Sequence, residues 1–368
     1  MAIKRGAQDA PMGPAPTSLR PGALSPEVRG PEVRGPEVRA SEARPEAHAP
    51  MGAQVDTLAV GQLFLDVVFA GLDRSPRPGQ ETWTADFGWG PGGIANMAIV
   101  SARLGASTAI SAVVGDDPLS GLCAGLLERE GINTSGLHTV AGWALPVTAS
   151  LGFDGDRALV TGGKPAPRDL GEILDADVRP RVAIVHVDDT THDVVRPLVD
   201  RGTRVFADLG WDDSGAWDTT VLDGLDGCYA FVPNDGEAMA FTRTDTPEQA
   251  LESLAARVPL SVVTLGARGV LALDSETGER VHVEPVAVDA VDVTGAGDVF
   301  VGALAVASLT DWTLRERIDF AALAAAITVS RPGGAATAPT RAGLVRWLDQ
   351  HPSAADAARF AFLRDAVP

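Results

Sequence analysis

Cysteine is scarce: the 368 residues hold two, Cys123 and Cys228. A lone, widely spaced pair makes no disulfide framework and suits a reducing compartment, so a cytoplasmic location is expected. Lysine is as rare: of 30 basic residues only Lys4 and Lys164 are lysines. A phosphate-binding P-loop needs GxxxxGK followed by Ser or Thr. Around Lys164 the run is Thr161-Gly162-Gly163-Lys164-Pro165, with Ala158 in the first glycine's place and a proline after the lysine, so the pattern fails. The V-A-I-K lysine of protein kinases is missing too. A Schiff-base mechanism would rest on Lys164 alone. No apolar run approaches the roughly 20 residues of a membrane span, and the N-terminus lacks the apolar core of a secretory signal, so no membrane partner is expected. Positive charge is in deficit, 30 − 49 = −19, which argues against nucleic acid as a partner. It does not exclude a small anion, which backbone dipoles can bind.

Two materials make up the chain. Residues 1–52 carry a five-residue repeat, Pro26-Glu27-Val28-Arg29-Gly30, Pro31-Glu32-Val33-Arg34-Gly35 and Pro36-Glu37-Val38-Arg39-Ala40. This leader is Pro-rich and mixed in charge, cannot bury enough apolar surface to offset chain entropy, and reads as disordered. It holds 7 basic and 6 acidic residues, so the remainder carries 23 − 43 = −20 and the acidity belongs to residues 53–368.

From Val55 onward the pattern is α/β. Apolar runs at Val55–Leu65, Ser107–Val114, Val182–Val187, Arg204–Ala207, Gly227–Val232, Leu260–Leu265 and Gly269–Asp274 read as strands. Helical spacing covers Gly93–Leu104, Leu119–Glu130, Gly295–Ser308, Leu314–Val329 and Arg341–Gln350, with Gly105 and Gly131 as stops. The alternation predicts a doubly wound, mostly parallel sheet with helices on both faces. Two segments break the rhythm, about 66–90 and 144–162. The second has a hairpin signal at Asp154-Gly155-Asp156, and together they suggest a small β lid.

The most informative segment runs from Val288 to Phe300. Gly295-Ala296-Gly297 lets backbone N–H groups converge at the positive end of a helix, which makes an anion site. Asp298 would point into the same space. An acid beside an anion hole makes sense if it takes the proton of a hydroxyl that attacks a phosphoryl group; the plainer alternative is a helix-capping Asp.

The run Asp292-Val293-Thr294-Gly295-Ala296-Gly297-Asp298-Val299-Phe300-Val301-Gly302 resembles the C-terminal signature of the ribokinase-like, or PfkB, carbohydrate kinases. The resemblance extends over about Val55–Arg341. Gly61–Asp66 resembles the family's first strand and its sugar-binding Asp, and Pro78-Gly79-Gln80-Glu81 its P-G-E segment. Gly92-Gly93-Ile94-Ala95-Asn96 followed by Arg103-Leu104-Gly105 resembles the N-terminal signature. Val114-Gly115-Asp116-Asp117, Asn234-Asp235-Gly236-Glu237 and Thr264-Leu265-Gly266-Ala267-Arg268-Gly269 follow in the family's order. There are departures. Pro91 stands for one glycine of the first signature and Val293 for a threonine of the second. Asp208-Leu209-Gly210-Trp211-Asp212 replaces the D-P-N-x-R stretch common in sugar kinases, so sugar specificity does not carry over.

The resemblance implies a ribokinase-like fold and an ATP-dependent kinase acting on a hydroxyl of a small sugar. In it Asp298 is the general base, and Gly295, Ala296 and Gly297 form the anion hole. Asp66, Gly92, Gly93 and Asn96 lie on the substrate side, and Thr264, Gly266 and Gly269 on the nucleotide side. Asn234 and Glu237 hold Mg2+ through water. A monovalent-cation site, K+ being the candidate, lies near Asp292 and Thr294 with backbone around Gly333. A homodimer through the lid is a further expectation. Other readings stay open: a nucleoside kinase of the same fold, whose lid would supply an aromatic platform, and a non-catalytic sugar sensor. Gly88-Trp89-Gly90-Pro91-Gly92-Gly93 is also a literal GxGxxG, the fingerprint of a dinucleotide site. His186–His192 has no standard zinc spacing and reads as a solvated loop.

Overall fold

The computed structural model describes residues 54–365 apart from 154–155, 168, 175–177, 188–190 and 210–216. The repeat-bearing leader and the turn of the lid hairpin lie outside the described residues. In chain order the elements begin with β1 (Gln54–Val60), β2 (Leu63–Leu72), β3 (Asp86–Gly93), α1 (Ile94–Arg103), β4 (Thr108–Gly115) and α2 (Pro118–Arg129). Then come β5 (Asn133–Val140), β6 (Val147–Phe153), β7 (Asp156–Gly162), α3 (Leu170–Ile173), β8 (Arg179–Val187), α4 (Thr191–Val199), β9 (Arg204–Leu209) and β10 (Ala230–Phe231). The chain continues through α5 (Asp235–Thr242), α6 (Pro247–Ala255), β11 (Leu260–Thr264), β12 (Val270–Asp274) and β13 (Arg280–Val283). It closes with α7 (Ala296–Ala307), α8 (Leu314–Val329), α9 (Arg341–Gln350), α10 (Ala354–Arg359) and α11 (Phe362–Asp365).

Among the described residues two sheets form. The large one has the order β13-β12-β11-β10-β9-β8-β1-β4-β5, parallel from β11 to β5, with β12 and β13 antiparallel at one edge. Its central strands are apolar at consecutive positions: Val182, Ala183, Ile184 and Val185 are all sealed from solvent. Successive strand residues point to opposite faces, so helices must cover both. The small sheet, β3-β2-β6-β7, is the lid.

The first predicted strand divides in two. It breaks at Gly61-Gln62, where a Cβ on Gly61 would come 2.9 Å from His186 Nδ1 and 3.1 Å from Ile94 Cβ. Leu63–Leu65 therefore belongs to the lid strand β2, not to the core strand β1. Strand β5 escapes the apolar pattern because it is a polar edge strand, Asn-Thr-Ser-Gly-Leu-His-Thr-Val. Thr191 and His192, expected in a solvated loop, belong to helix α4. No helix among the described residues is long and apolar enough to cross a membrane.

Candidate active site

The site begins with a loop that turns into α7. Gly295 is the N-cap of this helix at φ 70°. An L side chain rarely adopts that conformation, and a Cβ would also lie 2.7 Å from Ala335 Cβ. The first turn of a helix leaves N–H groups without intrahelical acceptors, at the positive end of the dipole. Ala296 N–H closes back on Val293 O at 3.3 Å. The amides of Gly297 and Asp298 follow in the same turn. Asp292, buried before this loop, fixes its path: one carboxylate oxygen accepts Thr294 N–H (2.9 Å), the other Gly333 N–H (3.0 Å) and Gly334 N–H (2.9 Å). Arg103 holds the far end of the same 333–338 segment, donating to Ala336 O (2.7 Å) and Ala338 O (3.0 Å) while gripping Glu130 bidentately.

Helix α1 brings in the second component. It crosses α7 closely, since a Cβ on Gly302 would meet Met97 O and Val100 Cβ at 3.1 Å. This approach puts Asn96 Nδ2 at 2.6 Å from Asp298 Oδ2. The amide expected to bind substrate hydroxyls thus also orients the acid. Asp66 enters from the lid strand β2, opposite Gly90 of β3. A Cβ on Gly92 would lie 2.0 Å from the Asp66 carboxyl, so Gly92 supplies the space that carboxyl occupies. Burial pushes the Asp66 carboxyl up to about 7; the charge of Asp298 adds to the rise and that of Arg157 opposes it. Asp208, at the carboxyl end of the parallel strand β9, is raised well above the usual carboxylate range by burial and by the charges of Asp298 and Glu237.

A second group gathers at the start of α5. Asn234 and Glu237 form a capping box: Asn234 Oδ1 accepts Glu237 N–H and Glu237 Oε2 accepts Asn234 N–H, both at 2.9 Å. Thr264, at the end of β11, bridges to this turn and donates its N–H to Pro233 O at 3.1 Å. The 3-10 turn Gly266–Arg268 follows, and Arg268 pairs with Asp235 of α5. Gly269 has φ 90°, with Val283 O where a Cβ would sit. Burial raises the Glu237 carboxyl, hydrogen bonds from Asn234 lower it, and Asp235 and Asp298 push it up again.

Asp66, Gly92, Asn96 and Asp298 therefore meet at the loop of Gly295, Ala296 and Gly297. Asn234, Glu237, Thr264, Gly266 and Gly269 form a neighbouring group, and Asp208 feels the charges of both. Sequence reasoning passed over three members. In the sequence Asp208 stands out only as a departure from a motif, although an acid ending a buried parallel strand stands where such sheets bind ligands. Arg157 of β7 donates to Val293 O at 3.1 Å, and Ser150 of β6 lies 3.5 Å from Thr294 Oγ1; both depend on the pairing of the β6–β7 hairpin with β2, which no local pattern announces.

The dinucleotide reading falls on topology. Gly88 and Gly90 lie inside β3, an antiparallel lid strand, and not at a turn after a parallel strand. Two lid aromatics, Phe87 and Trp89, face away from the site. Trp89 pairs with Val67 and Phe87 with Phe69, on the sheet face opposite Asp66 and Gly90. The Phe69 and Phe87 rings lie 5.3 Å apart.

The family profile of the pfkB carbohydrate kinases matches residues 57–170 and 199–341, more than half of the chain. The chain belongs to the pfkB carbohydrate kinase family. Among its relatives in the family, a protein named "Probable fructokinase-4" from Arabidopsis thaliana is 28% identical over 314 residues, covering 77% of this chain and 93% of the relative. A ribokinase from Haemophilus influenzae is 27% identical over 272 residues, covering 69% of this chain and 86% of the relative. The solved structure of Arabidopsis thaliana ribokinase complexed with ribose and ATP superposes with a TM-score of 0.68 at 23% identity, covering 80% of this chain and 99% of that one. The fold is ribokinase-like, and the protein is a carbohydrate kinase.

Proposed function

We propose that this carbohydrate kinase transfers the γ-phosphoryl group of ATP to a hydroxyl of a small sugar, with Asp298 as the general base. The observation that carries the reading is the 2.6 Å hydrogen bond from Asn96 to Asp298, which aims the acid from the first turn of the helix opened by Gly295. The sugar oxygen attacks the γ-phosphorus, and its proton passes to the Asp298 carboxylate. The bond from the γ-phosphorus to the bridging oxygen breaks, and ADP leaves with that electron pair. The first-turn amides of Gly297 and Asp298, in the loop of Gly295 and Ala296, stabilise charge on the transferring group. Such transfer needs mainly positioning and electrostatic help, so a site without lysine is adequate. Asp66 and Asn96 would bind the sugar hydroxyls, with Gly92 and Gly93 giving the backbone access. The turn of Thr264, Gly266 and Gly269 would receive the nucleotide.

Asn234 and Glu237 fit Mg2+. They offer hard oxygen donors beside the site, both at the start of α5. That suits an ion which keeps several waters and binds phosphates. When bound, Mg2+ would neutralise charge on the phosphate oxygens. Asp292 spends its carboxylate on three backbone N–H groups, and we assign it with Thr294 to clamping the loop; K+ has no part in this reading.

The outer lid face favours a homodimer. Val67, Phe69, Phe87, Trp89, Ala149, Leu151 and Val160 share that face by register. Phe87, Trp89 and Val160 are 49%, 42% and 61% exposed, and a second copy would cover them. Light scattering should give twice the chain mass. For the activity itself, ADP release is measured across neutral pentoses, hexoses and nucleosides. Sugar-dependent ADP and a phosphorylated sugar by mass spectrometry are expected. ADP release with nucleosides alone, or with none, would refute the proposal.

A further inference from the structure

Helix α1 reaches the site from both of its ends. Its residues from Ile94 to Ser101 are buried, so the helix is fixed in the core. Near its start Asn96 holds Asp298. Arg103, its last residue, lies about two turns further on and on the same side. The Arg103 fork grips Glu130, the C-cap of α2, through Nε (2.8 Å) and Nη2 (2.6 Å). That leaves Nη1 to donate to Ala336 O at 2.7 Å and to Ala338 O at 3.0 Å. The Arg103 and Glu130 side chains are only 22% and 28% exposed, so water screens this charge-assisted pair less than a surface pair.

The turn that receives Nη1 supports the anion loop. It opens with Gly333 and Gly334, at φ 113° and 56°, and continues as the 3-10 turn Gly334–Thr337. At its front the Gly333 and Gly334 amides meet Asp292, and the Ala335 methyl fills the space that a side chain on Gly295 would need. Gly334 also packs against Thr294, since a Cβ there would come 3.0 Å from Thr294 O. At its rear the carbonyls of Ala336 and Ala338 face Arg103. In between, Thr337 Oγ1 donates to Gly334 O (2.8 Å) and Ala338 N–H to Ala335 O (3.0 Å), which joins front and rear into one piece. Two adjacent glycines have wide backbone freedom, so the place of this piece depends on its being held from outside.

From this arrangement we infer that Arg103 is a positioning residue for phosphoryl transfer, holding the 333–338 turn and through it Asp292, Gly295 and the first-turn amides of α7. The inference rests on the proposed function and adds a residue to it. One buried helix thereby sets both halves of the chemistry, the acid through Asn96 and the anion loop through Arg103. The sugar contacts assigned to Asp66 and Asn96 do not pass through the turn. Loss of the Arg103 grip should weaken stabilisation of the transferring group and spare sugar binding.

Arg103→Lys keeps the charge and much of the stem but has no planar fork, so it cannot hold Glu130 bidentately and both carbonyls at once. On the full chain, kcat is measured with a confirmed sugar. Calorimetry gives Kd for that sugar, for ADP, and for ADP with aluminium fluoride, which mimics the transferring phosphoryl group. We expect kcat and affinity for the fluoride complex to fall together, at least ~5-fold, while Kd for sugar and for ADP alone stays within ~2-fold of the parent. Parental kcat and fluoride-complex affinity overturn the inference. So does an equal loss for all ligands, which marks general loosening of the fold. If Arg103→Lys fails to fold, Glu130→Gln releases the fork while leaving Arg103 in place. It should show the same split at smaller size, and parental values there overturn the inference too. ADP release by the parent without any sugar would instead overturn the proposed function, and this inference with it.

Discussion

Asn96 and Asp298 stand 202 positions apart in the chain, and their side chains meet at 2.6 Å. Two helices distant in the chain, α1 and α7, make this contact possible because Gly302 lets them approach. The substrate-facing amide and the acid are one unit. Asn96→Leu should therefore cost turnover as well as sugar affinity, because it frees the acid to rotate. We expect kcat to fall about 10-fold or more, the lower part of what a positioned acid–base group contributes, with the KM for ATP little changed. A loss confined to the sugar KM would show that Asn96 touches only the substrate.

Glu237→Gln tests the neighbouring group. Gln can still close the capping box with Asn234, so the start of α5 should hold. The variant lacks the charge that would order metal-bound water. The Mg2+ concentration for half-maximal rate should rise several-fold while sugar affinity stays near that of the parent. A collapse of sugar affinity with an unchanged Mg2+ titration would mean the two sides have been exchanged.

Asp66 predicts a pH dependence of stability. Its carboxyl titrates near 7 in the folded chain, against an ordinary value of 3.8. Between those values the folded chain binds more protons than the unfolded one, so this residue's contribution falls as pH rises from about 4 to about 7. Asp66→Asn removes that slope. The variant should melt close to the parent at about pH 4 and about 2 °C or more above it at pH 8, as read by thermal denaturation. A variant that melts lower than the parent at pH 8 would show that the charged form is favoured by the fold.

The sequence made the large sheet legible because its parallel strands are covered on both faces and so read as continuous apolar runs, as at Val182–Val185. Helix α8 was readable end to end from Leu314 to Val329. The anion loop could be read because its small residues, Gly295, Ala296 and Gly297, stand together in the sequence at the start of a helix. Contacts closed by tertiary pairing were not readable. Arg157 meets Val293 only because β7 pairs with β6 and β6 with β2. The role of Gly92 was also hidden, since what fills its missing side chain is the carboxyl of Asp66 on another strand. Strand β5 was silent for a different reason: as an edge strand it has little apolar surface to bury.

The central claim is that Asp298 takes the proton, and Asp298→Asn tests it most directly. Asn keeps the size of the side chain at the start of α7 and cannot accept the proton from the sugar hydroxyl. The measurement is kcat on a preparation whose thermal midpoint and whose ATP and sugar binding match the parent. The account predicts a loss of at least ~10²-fold in kcat, roughly 2.7 kcal/mol of barrier, with both ligands still bound. A variant that turns over a confirmed substrate at near-parental kcat would contradict it and leave Asp298 as a helix cap.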